Sequence, residues 1–221
     1  DLVRRAAEAV EHLHRAGIAH RDLCLFRLRR ASIEGDAGAV FVTDPGLFEV
    51  LSARPGAAPP AEGGPLTADP RVMSPEIAAG YSADARSDVY SLGIVLATLI
   101  AGRPPFTGLE PVDVLRKQIR EPFSDDLLPV VSEDLRRLLL RATAKSPDER
   151  FQGVADLRVA LQDYLDLVRM IGHDTDPDLF ALTRSESAPK KEWGDVITIG
   201  DDEGSDSDNA PALASPSVLL R

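Results

Sequence analysis

The side chains with the clearest chemical potential lie in two short segments, residues 20–28 (HRDLCLFRL) and 43–47 (TDPGL). A carboxylate such as Asp44 provides the oxygen ligands that Mg²⁺ prefers. Arg27 has the opposite effect, because a guanidinium carries no acceptor and is always charged. A unit positive charge about 4 Å from a divalent ion repels it by roughly 8 kcal/mol at an effective dielectric constant of about 20. The two segments therefore contain a potential metal ligand and a cation that would oppose a metal ion placed beside it.

The elements that must position these segments are mainly helical. Apolar residues at helical spacing predict helices over residues 1–16, 88–101, 112–119, 133–143 and 154–168. The second of these is apolar on most sides, as a central buried helix would be. Ser132 is well placed to cap the helix at 133–143. Two short β-like runs, residues 28–33 and 39–43, predict a hairpin, and residues 52–70 predict an irregular loop.

Several segments occur in an order that resembles the protein kinase family. His20-Arg21-Asp22 alone is a weak signal, but four further segments in the right order and at the right spacing make it strong: TDPGL (43–47), VMSPEI (72–77), SDVYSLGIVLATLIAGRPPF (87–106) and KSPDERF (145–151). The chain is similar to the C-terminal lobe of a bacterial-type serine/threonine protein kinase over about residues 1–168. Neither a Gly-rich strand turn nor a strand lysine precedes the first helix, so we expect the N-terminal lobe to be absent.

This resemblance implies a fold, a cofactor and a reaction. The fold would be mainly α (α+β), a kinase-like C-terminal lobe with a small β-hairpin. Family members transfer the γ-phosphate of ATP, with Mg²⁺, to a serine or threonine of a protein. Asp22 matches the aspartate that accepts or orients the proton of the substrate hydroxyl, and Asp44 matches the metal-binding aspartate. Because ATP binds between two lobes, this chain would supply half of a nucleotide site.

Three replacements fall in residues 20–28 and 43–47, which correspond to the catalytic segments of the family. Cys24 stands in place of a lysine that would neutralise the transferring phosphoryl group, and we expect a small apolar filler rather than a reactive thiol. Arg27 replaces the asparagine that would bind a second metal ion; it would repel that ion, turn into solvent or contact phosphate itself. Pro45 replaces a phenylalanine and is expected to restrict Asp44 to extended conformations.

Further departures surround these segments. Asp69 replaces a threonine that would hydrogen-bond the catalytic aspartate, so its carboxylate is expected to repel that of Asp22. Arg29 and Arg30 stand where the family has apolar residues beneath the adenine. A buried, unpaired arginine at either position would be costly.

The positions that maintain the lobe persist. Glu76 and Arg150 match a family ion pair that ties the activation segment to the lower lobe. Asp88 matches the aspartate that holds the catalytic loop from the central helix, and His20 would pack beneath that loop. Arg21 is the cation that would receive the phosphate of a phosphorylated activation loop. The residues that hold the fold are therefore retained while those that carry the chemistry are altered.

Composition limits the classes of partner. The net charge of −11 disfavours nucleic acid, and no apolar run approaches the roughly 18–20 residues of a membrane span. The single cysteine excludes an internal disulfide and suits the cytoplasm. Residues 172–221 carry eleven acidic and four basic side chains, which accounts for −7 of the net charge. We predict a disordered acidic tail there, after a kinase-like lobe at residues 1–171.

The sequence favours a degenerate kinase-like lobe that acts as a protein-interaction or regulatory module. Helices within residues 111–143 are the candidate docking surface, and the partner would be a protein. Two alternatives stay open. The chain could be part of an active serine/threonine kinase, with Asp22 and Asp44 in their family roles, or a decayed fragment without function.

Overall fold

The computed structural model describes residues 1–33, 36–47, 68–124, 126, 128 and 131–173. These residues lie in the first of two compact units, Asp1–Thr183; the second, Arg184–Arg221, lies outside the described residues. The elements are α1 (Leu2–Arg15), β1 (Leu28–Ile33), β2 (Asp36–Val42), α2 (Pro75–Ala78), α3 (Ala85–Ala101), α4 (Pro111–Arg120), α5 (Glu133–Ala142) and α6 (Val154–His173). The predicted mainly helical fold with a small antiparallel hairpin is confirmed.

Helix boundaries follow local capping. Asp84 accepts a hydrogen bond from the backbone N–H of Arg86 (2.8 Å), so α3 begins three residues before the predicted start at 88. The helix ends where Gly102 takes a φ of +70°, a conformation that favours glycine. The predicted cap is also present, since the backbone N–H of Leu135 donates to the Ser132 hydroxyl (3.3 Å). Most of the predicted loop at 52–70 and nearly all of the predicted tail lie outside the described residues.

Helix α3 forms the centre of the lobe, because most of its side chains are buried. Helices α1, α5 and α6 pack against it, and α1 also packs against α6 and β2. An ion pair between Glu11 and Arg158 (2.8 Å) joins α1 to α6. The apolar character of α3 on nearly all sides, read from the sequence, thus corresponds to a helix enclosed by its neighbours. In the part of the chain that the structure describes, no helix is long and apolar enough to cross a membrane.

Gly93 sets the closest approach between α3 and α5. A methyl group on Gly93 would lie 2.9 Å from both the Ala142 Cβ and the Thr143 Cγ2, well inside van der Waals contact. Both of these neighbours are buried, so little room exists to relieve the overlap.

Gly93→Ala is therefore expected to lower the free energy of unfolding by about 1–3 kcal/mol, despite the better helix propensity of alanine. Urea unfolding followed by circular dichroism measures the change. Gly153→Ala is the matched control, since its added methyl group would meet nothing closer than 4.0 Å. Equal stability of the two variants would contradict the proposed packing constraint.

The hairpin packs three apolar residues on the lobe and leaves Phe41 and its two arginines exposed. Leu28 pairs with Val42, and Arg30 pairs with Val40. Leu28, Val40 and Val42 pack against the core, whereas Arg29 and Arg30 are exposed. The cost of burying an unpaired arginine, considered from the sequence, therefore does not arise at Arg29 or Arg30, because both side chains are exposed to water.

Candidate functional site

The segment at residues 20–27, which corresponds to the catalytic loop of the family, is held by one buried carboxylate. Asp88 of α3 accepts hydrogen bonds from the backbone N–H groups of His20 and Arg21, each at 2.7 Å. Its Oδ2 also lies 2.7 Å from the Nε2 of His14 on α1. Arg21 has a φ of +65°, and these bonds hold the strained turn in place. Asp88 thus fixes the loop from the central helix, as its family position implies. Sequence reasoning missed His14, which only the packing of α1 against α3 brings to this carboxylate.

His20 connects this loop to the end of β2. The ring is fully buried, and its Nε2 lies 2.8 Å from the backbone carbonyl oxygen of Thr43. The backbone N–H of Asp22 points to the Nδ1 of His20 (3.3 Å). Both contacts are satisfied when Nε2 carries the proton and Nδ1 accepts. His20 therefore couples the position of Asp22 to the segment that carries Asp44.

Asp44 begins a tight turn rather than an extended segment. Its φ is +58°, so the expectation that Pro45 would keep Asp44 extended is wrong. The backbone N–H of Leu47 donates to the carbonyl oxygen of Asp44 (3.3 Å), and Gly46 has a φ of +75°. A proline at the second position and a left-handed glycine at the third are typical of a type II turn. Aspartate tolerates the left-handed region better than most residues, and its side-chain contacts hold it there.

Arg27 bridges the two carboxylates of the catalytic segments. Its Nε and Nη2 donate to the Oδ2 of Asp22 at 3.2 and 3.0 Å, and its Nη1 donates to the Oδ2 of Asp44. Burial opposes the charge of Arg27, but the hydrogen bonds and charges of Asp22 and Asp44 raise its pKa above the ordinary value. The side chain does not turn into solvent, one of the outcomes considered from the sequence; 25% of it is exposed.

Backbone pairing explains why Arg27 reaches Asp44. A 3-10 turn, Leu25–Arg27, leads directly into β1, and the backbone N–H of Thr43 donates to the carbonyl oxygen of Arg27 (3.0 Å). Arg27 therefore lies opposite the residue that precedes Asp44. Since Asp22 is held by His20 and the catalytic loop, the guanidinium lies between two carboxylates whose positions are fixed by separate contacts.

Asp69 contacts Asp22 through its backbone, not through its carboxylate. The backbone N–H of Asp69 donates to the Oδ1 of Asp22 (3.3 Å). The Asp69 carboxylate is bound by the guanidinium of Arg71, with the shortest contact at 2.7 Å. Asp69 thus adds a favourable backbone bond to Asp22, while the charge of its carboxylate is paired with Arg71. Nothing in the sequence predicted this local pair.

Cys24 lies in the core beneath the catalytic loop. It is 6% exposed and belongs to the main apolar cluster. Burial raises the pKa of the Cys24 thiol, and the negative charge of Asp22 raises it further. The thiol is therefore protonated at neutral pH and is a weak nucleophile. This environment agrees with the filler interpretation.

Glu76 and Arg150 form a buried ion pair. Two nitrogens of Arg150 donate to the two carboxylate oxygens of Glu76, each at 2.8 Å. The guanidinium also donates to backbone carbonyl oxygens of Ala144, Arg86 and Lys145. Burial raises the pKa of Glu76, but the hydrogen bonds and charge of Arg150 outweigh burial, and the net shift is downward. The segment from α2 to α6 is thus tied together by one fully bonded guanidinium.

A second buried network was not found by sequence reasoning. The Tyr90 hydroxyl donates to the Oε1 of Gln118, whose amide donates to the carbonyl oxygen of Arg71 (2.7 Å). Lys145 donates to the Tyr90 hydroxyl (3.0 Å) and to the backbone carbonyl oxygen of Gln118 (2.6 Å). Burial lowers the pKa of Lys145 to about 8. These contacts join residues far apart in the chain, so no local pattern signals them.

The buried hydroxyl of Ser74 has no hydrogen-bond partner among the described residues. A buried hydroxyl without a partner costs about 1–3 kcal/mol. Ser74→Ala is therefore expected to leave stability unchanged or to raise it by about 1 kcal/mol, measured by thermal unfolding. Ser87→Ala is the contrasting variant. It removes a 2.6 Å bond to Glu76 and should cost about 1.5–3 kcal/mol. A larger loss at Ser74 than at Ser87 would contradict this assignment.

Three features define the class of this protein. They are a helical lobe with a hairpin, a loop held by the central helix, and a buried ion pair between Glu76 and Arg150. The protein kinase domain family matches residues 1–160, and the chain belongs to that family. It is of the bacterial serine/threonine kinase type.

The proteins it is similar to include bacterial kinases. The chain is 33% identical over 225 residues to the serine/threonine-protein kinase Pkn1 of Myxococcus xanthus, covering 99% of this chain and 31% of that protein. It is 36% identical over 183 residues to the serine/threonine-protein kinase PknB of Mycobacterium tuberculosis, covering 80% and 26%. A probable serine/threonine-protein kinase of Streptomyces coelicolor is 34% identical over 166 residues, covering 72% and 23%. The chain thus spans a third or less of the length of these curated relatives.

Proposed function

We propose that this kinase-like lobe, residues 1–171, is impaired in phosphoryl transfer and serves as a protein-interaction or regulatory module. The observation that carries the proposal is the bridge from Arg27 to Asp22 and Asp44. In the family these carboxylates face the substrate hydroxyl and the metal ion. Here a single cation from the chain itself, Arg27, is hydrogen-bonded to both carboxylates.

The residues present do not fit Mg²⁺ well. Magnesium requires several oxygen ligands in nearly octahedral geometry. One oxygen of each carboxylate accepts hydrogen bonds from Arg27. Arg27 also replaces the asparagine that, in the family, would bind the second metal ion. Among the described residues, no three His, Cys, Asp or Glu side chains are grouped so that they could hold a metal ion. A divalent ion would have to displace the guanidinium and overcome its charge.

The rest of the lobe supports a role that needs no nucleotide. Asp88, Glu76 and Arg150 maintain the fold through contacts within the described lobe. The partner would be a cytoplasmic protein, and the surface of α4 and α5, within residues 111–143, is the candidate docking region. His20 and Arg21 act as structural residues in this proposal, through the backbone bonds that fix the catalytic loop.

A thermal-shift titration with ATP, with and without Mg²⁺ or Mn²⁺, tests the impaired site. We expect no metal-dependent shift at millimolar ATP. A nucleotide at ten times its Kd would stabilise the folded lobe by about 1.4 kcal/mol, which corresponds to about 3 °C. A metal-dependent shift of that size, lost in Asp44→Ala, would overturn the proposal.

The second candidate function is that of a working serine/threonine kinase when the chain is joined to an N-terminal lobe. It is favoured by the retention of Asp22 and Asp44 close enough to share one guanidinium. Asp22 would then position the substrate hydroxyl, and Asp44 would face the metal of Mg-ATP. Transfer of ³²P from ATP to a serine-containing protein, abolished in Asp22→Ala, would support this candidate over the first.

A further inference from the structure

A groove of about 370 Å³ lies between α5 and α6 and contains no residue of the catalytic segments. Its floor is apolar and aromatic, formed by Leu138, Phe151, Ala160 and Leu167, with Tyr164 at one side. Leu138 and Phe151 are buried, whereas Leu167 is 39% exposed. The uncovered apolar surface of the groove therefore comes mainly from Leu167, with smaller contributions from the partly buried Ala160 and Tyr164.

The charges of the groove are separated along its length. The Ser132 hydroxyl, before α5, lies 3.3 Å from the Tyr164 hydroxyl on α6, while Arg141 at the other end of α5 lies over Phe151. The two helices consequently run antiparallel. Asp134 is next to the Ser132 end, and Asp163 is next to Tyr164, so both acids lie at one end and Arg141 lies at the other. Arg137, which also lines the groove between Asp134 and Arg141, is paired with Glu133.

Arg141 is held by an aromatic ring. Its guanidinium carbon lies 4.3 Å from the centre of the Phe151 ring, within the range of a cation–π contact. Within the described residues no carboxylate pairs with Arg141, whereas its neighbour Arg137 pairs with Glu133 (3.1 Å). A guanidinium stacked on a ring keeps its N–H edge available for a carboxylate. Asp134 and Asp163 likewise have no cation partner in that part of the chain.

Helix geometry gives the spacing between the two ends. Asp134 and Arg141 are separated by about two helical turns, or roughly 10 Å along α5. An occupant that satisfies both ends needs an acidic residue near Arg141 and a basic residue near Asp134 and Asp163. Apolar side chains between them would cover the floor. A uniformly acidic or uniformly basic segment would be repelled at one end.

We propose that this groove docks a short amphipathic segment of a partner protein, with apolar residues flanked by an acid on one side and a base on the other. The proposal rests on the interaction role proposed above and assigns it a site. It extends the candidate surface from α5, within residues 111–143, to α6. Catalytic competence does not enter the argument, because the groove and the catalytic segments share no residue.

Selection from a phage-displayed library of random peptides tests the groove. We expect the whole chain to enrich peptides that carry apolar residues between an acid and a base. Selection on Arg141→Gln should lose the acid from the consensus, and selection on Asp163→Asn should weaken the preference for the base. An absence of enrichment over an unrelated protein, or the same consensus from all three proteins, would refute the proposal.

A double-mutant cycle on one enriched peptide then tests the pairing. Replacing its acidic residue with glutamine should weaken binding to the wild type about threefold, measured by fluorescence polarisation, and should not weaken binding to Arg141→Gln. Thermal unfolding of each variant checks that the lobe stays folded. Asp163→Asn tests the groove at a second position, which is exposed, so that the result does not depend on Arg141→Gln alone. Arg27→Asn should bind the peptide as the wild type does. Failure of the groove is thus separable from failure of the proposed impairment, which the nucleotide titration reports.

Discussion

Arg150→Met should be the most destabilising of the substitutions considered, lowering the free energy of unfolding by about 3–5 kcal/mol. The guanidinium is fully buried and makes bonds to Glu76 and to three backbone carbonyl oxygens. Removing it leaves the Glu76 carboxylate without its cation in a largely buried position. Breaking one side of a buried pair costs more than the pair contributes, because the remaining charge cannot be solvated. Urea unfolding measures the loss.

Two further measurements identify the cause. The double variant Glu76→Gln with Arg150→Met should be more stable than Arg150→Met alone, since it removes the unpaired charge. The depressed pKa of Glu76 contributes stability that is present above its unfolded value of about 4.3 and is lost as the pH falls through the folded value. That loss should disappear in Arg150→Met. A wild type that unfolds without a cooperative transition would instead support a decayed fragment.

Arg27→Asn should produce the largest functional change, by making the Asp22 and Asp44 carboxylates accessible to a metal ion. The substitution removes the cation from between Asp22 and Asp44 and adds a neutral oxygen ligand. Removal of a unit charge about 4 Å from a divalent ion relieves roughly 8 kcal/mol of repulsion at an effective dielectric constant of about 20. Water around the partly exposed side chain already screens part of this repulsion, so the gain is smaller. We expect Mn²⁺ binding to strengthen at least about tenfold, measured by the paramagnetic resonance of free Mn²⁺.

The controls separate charge from geometry. Arg27→Lys keeps the positive charge but lacks the planar fork, so it should bind Mn²⁺ no better than the wild type. Adding Asp44→Ala to Arg27→Asn should abolish the gain, because that variant lacks the carboxylate ligand. Equal Mn²⁺ affinity of the wild type and Arg27→Asn would show that the guanidinium does not control the site.

The sequence by itself determined the class of fold and the supports of the catalytic loop. Helical spacing predicted α1, α3, α5 and α6 to within a few residues at most ends, since the period of apolar residues reflects a buried face. The pairing of Glu76 with Arg150 followed from segments whose order and spacing resemble a known family. Arg150 is bonded to three backbone carbonyl oxygens as well as to Glu76, so few other partners are within its reach.

Only the tertiary structure decided how the altered side chains are used. The sequence left three outcomes for Arg27, and hairpin register placed it between Asp22 and Asp44. The same holds for Asp69, whose carboxylate turns to Arg71, and for Asp44, whose left-handed backbone overrides the preference of a residue before proline. A long charged side chain is directed by the carboxylates that folding brings within reach. The spacing of apolar residues along the chain indicates which face is buried. It does not indicate how far a charged side chain lies from the carboxylates of other segments.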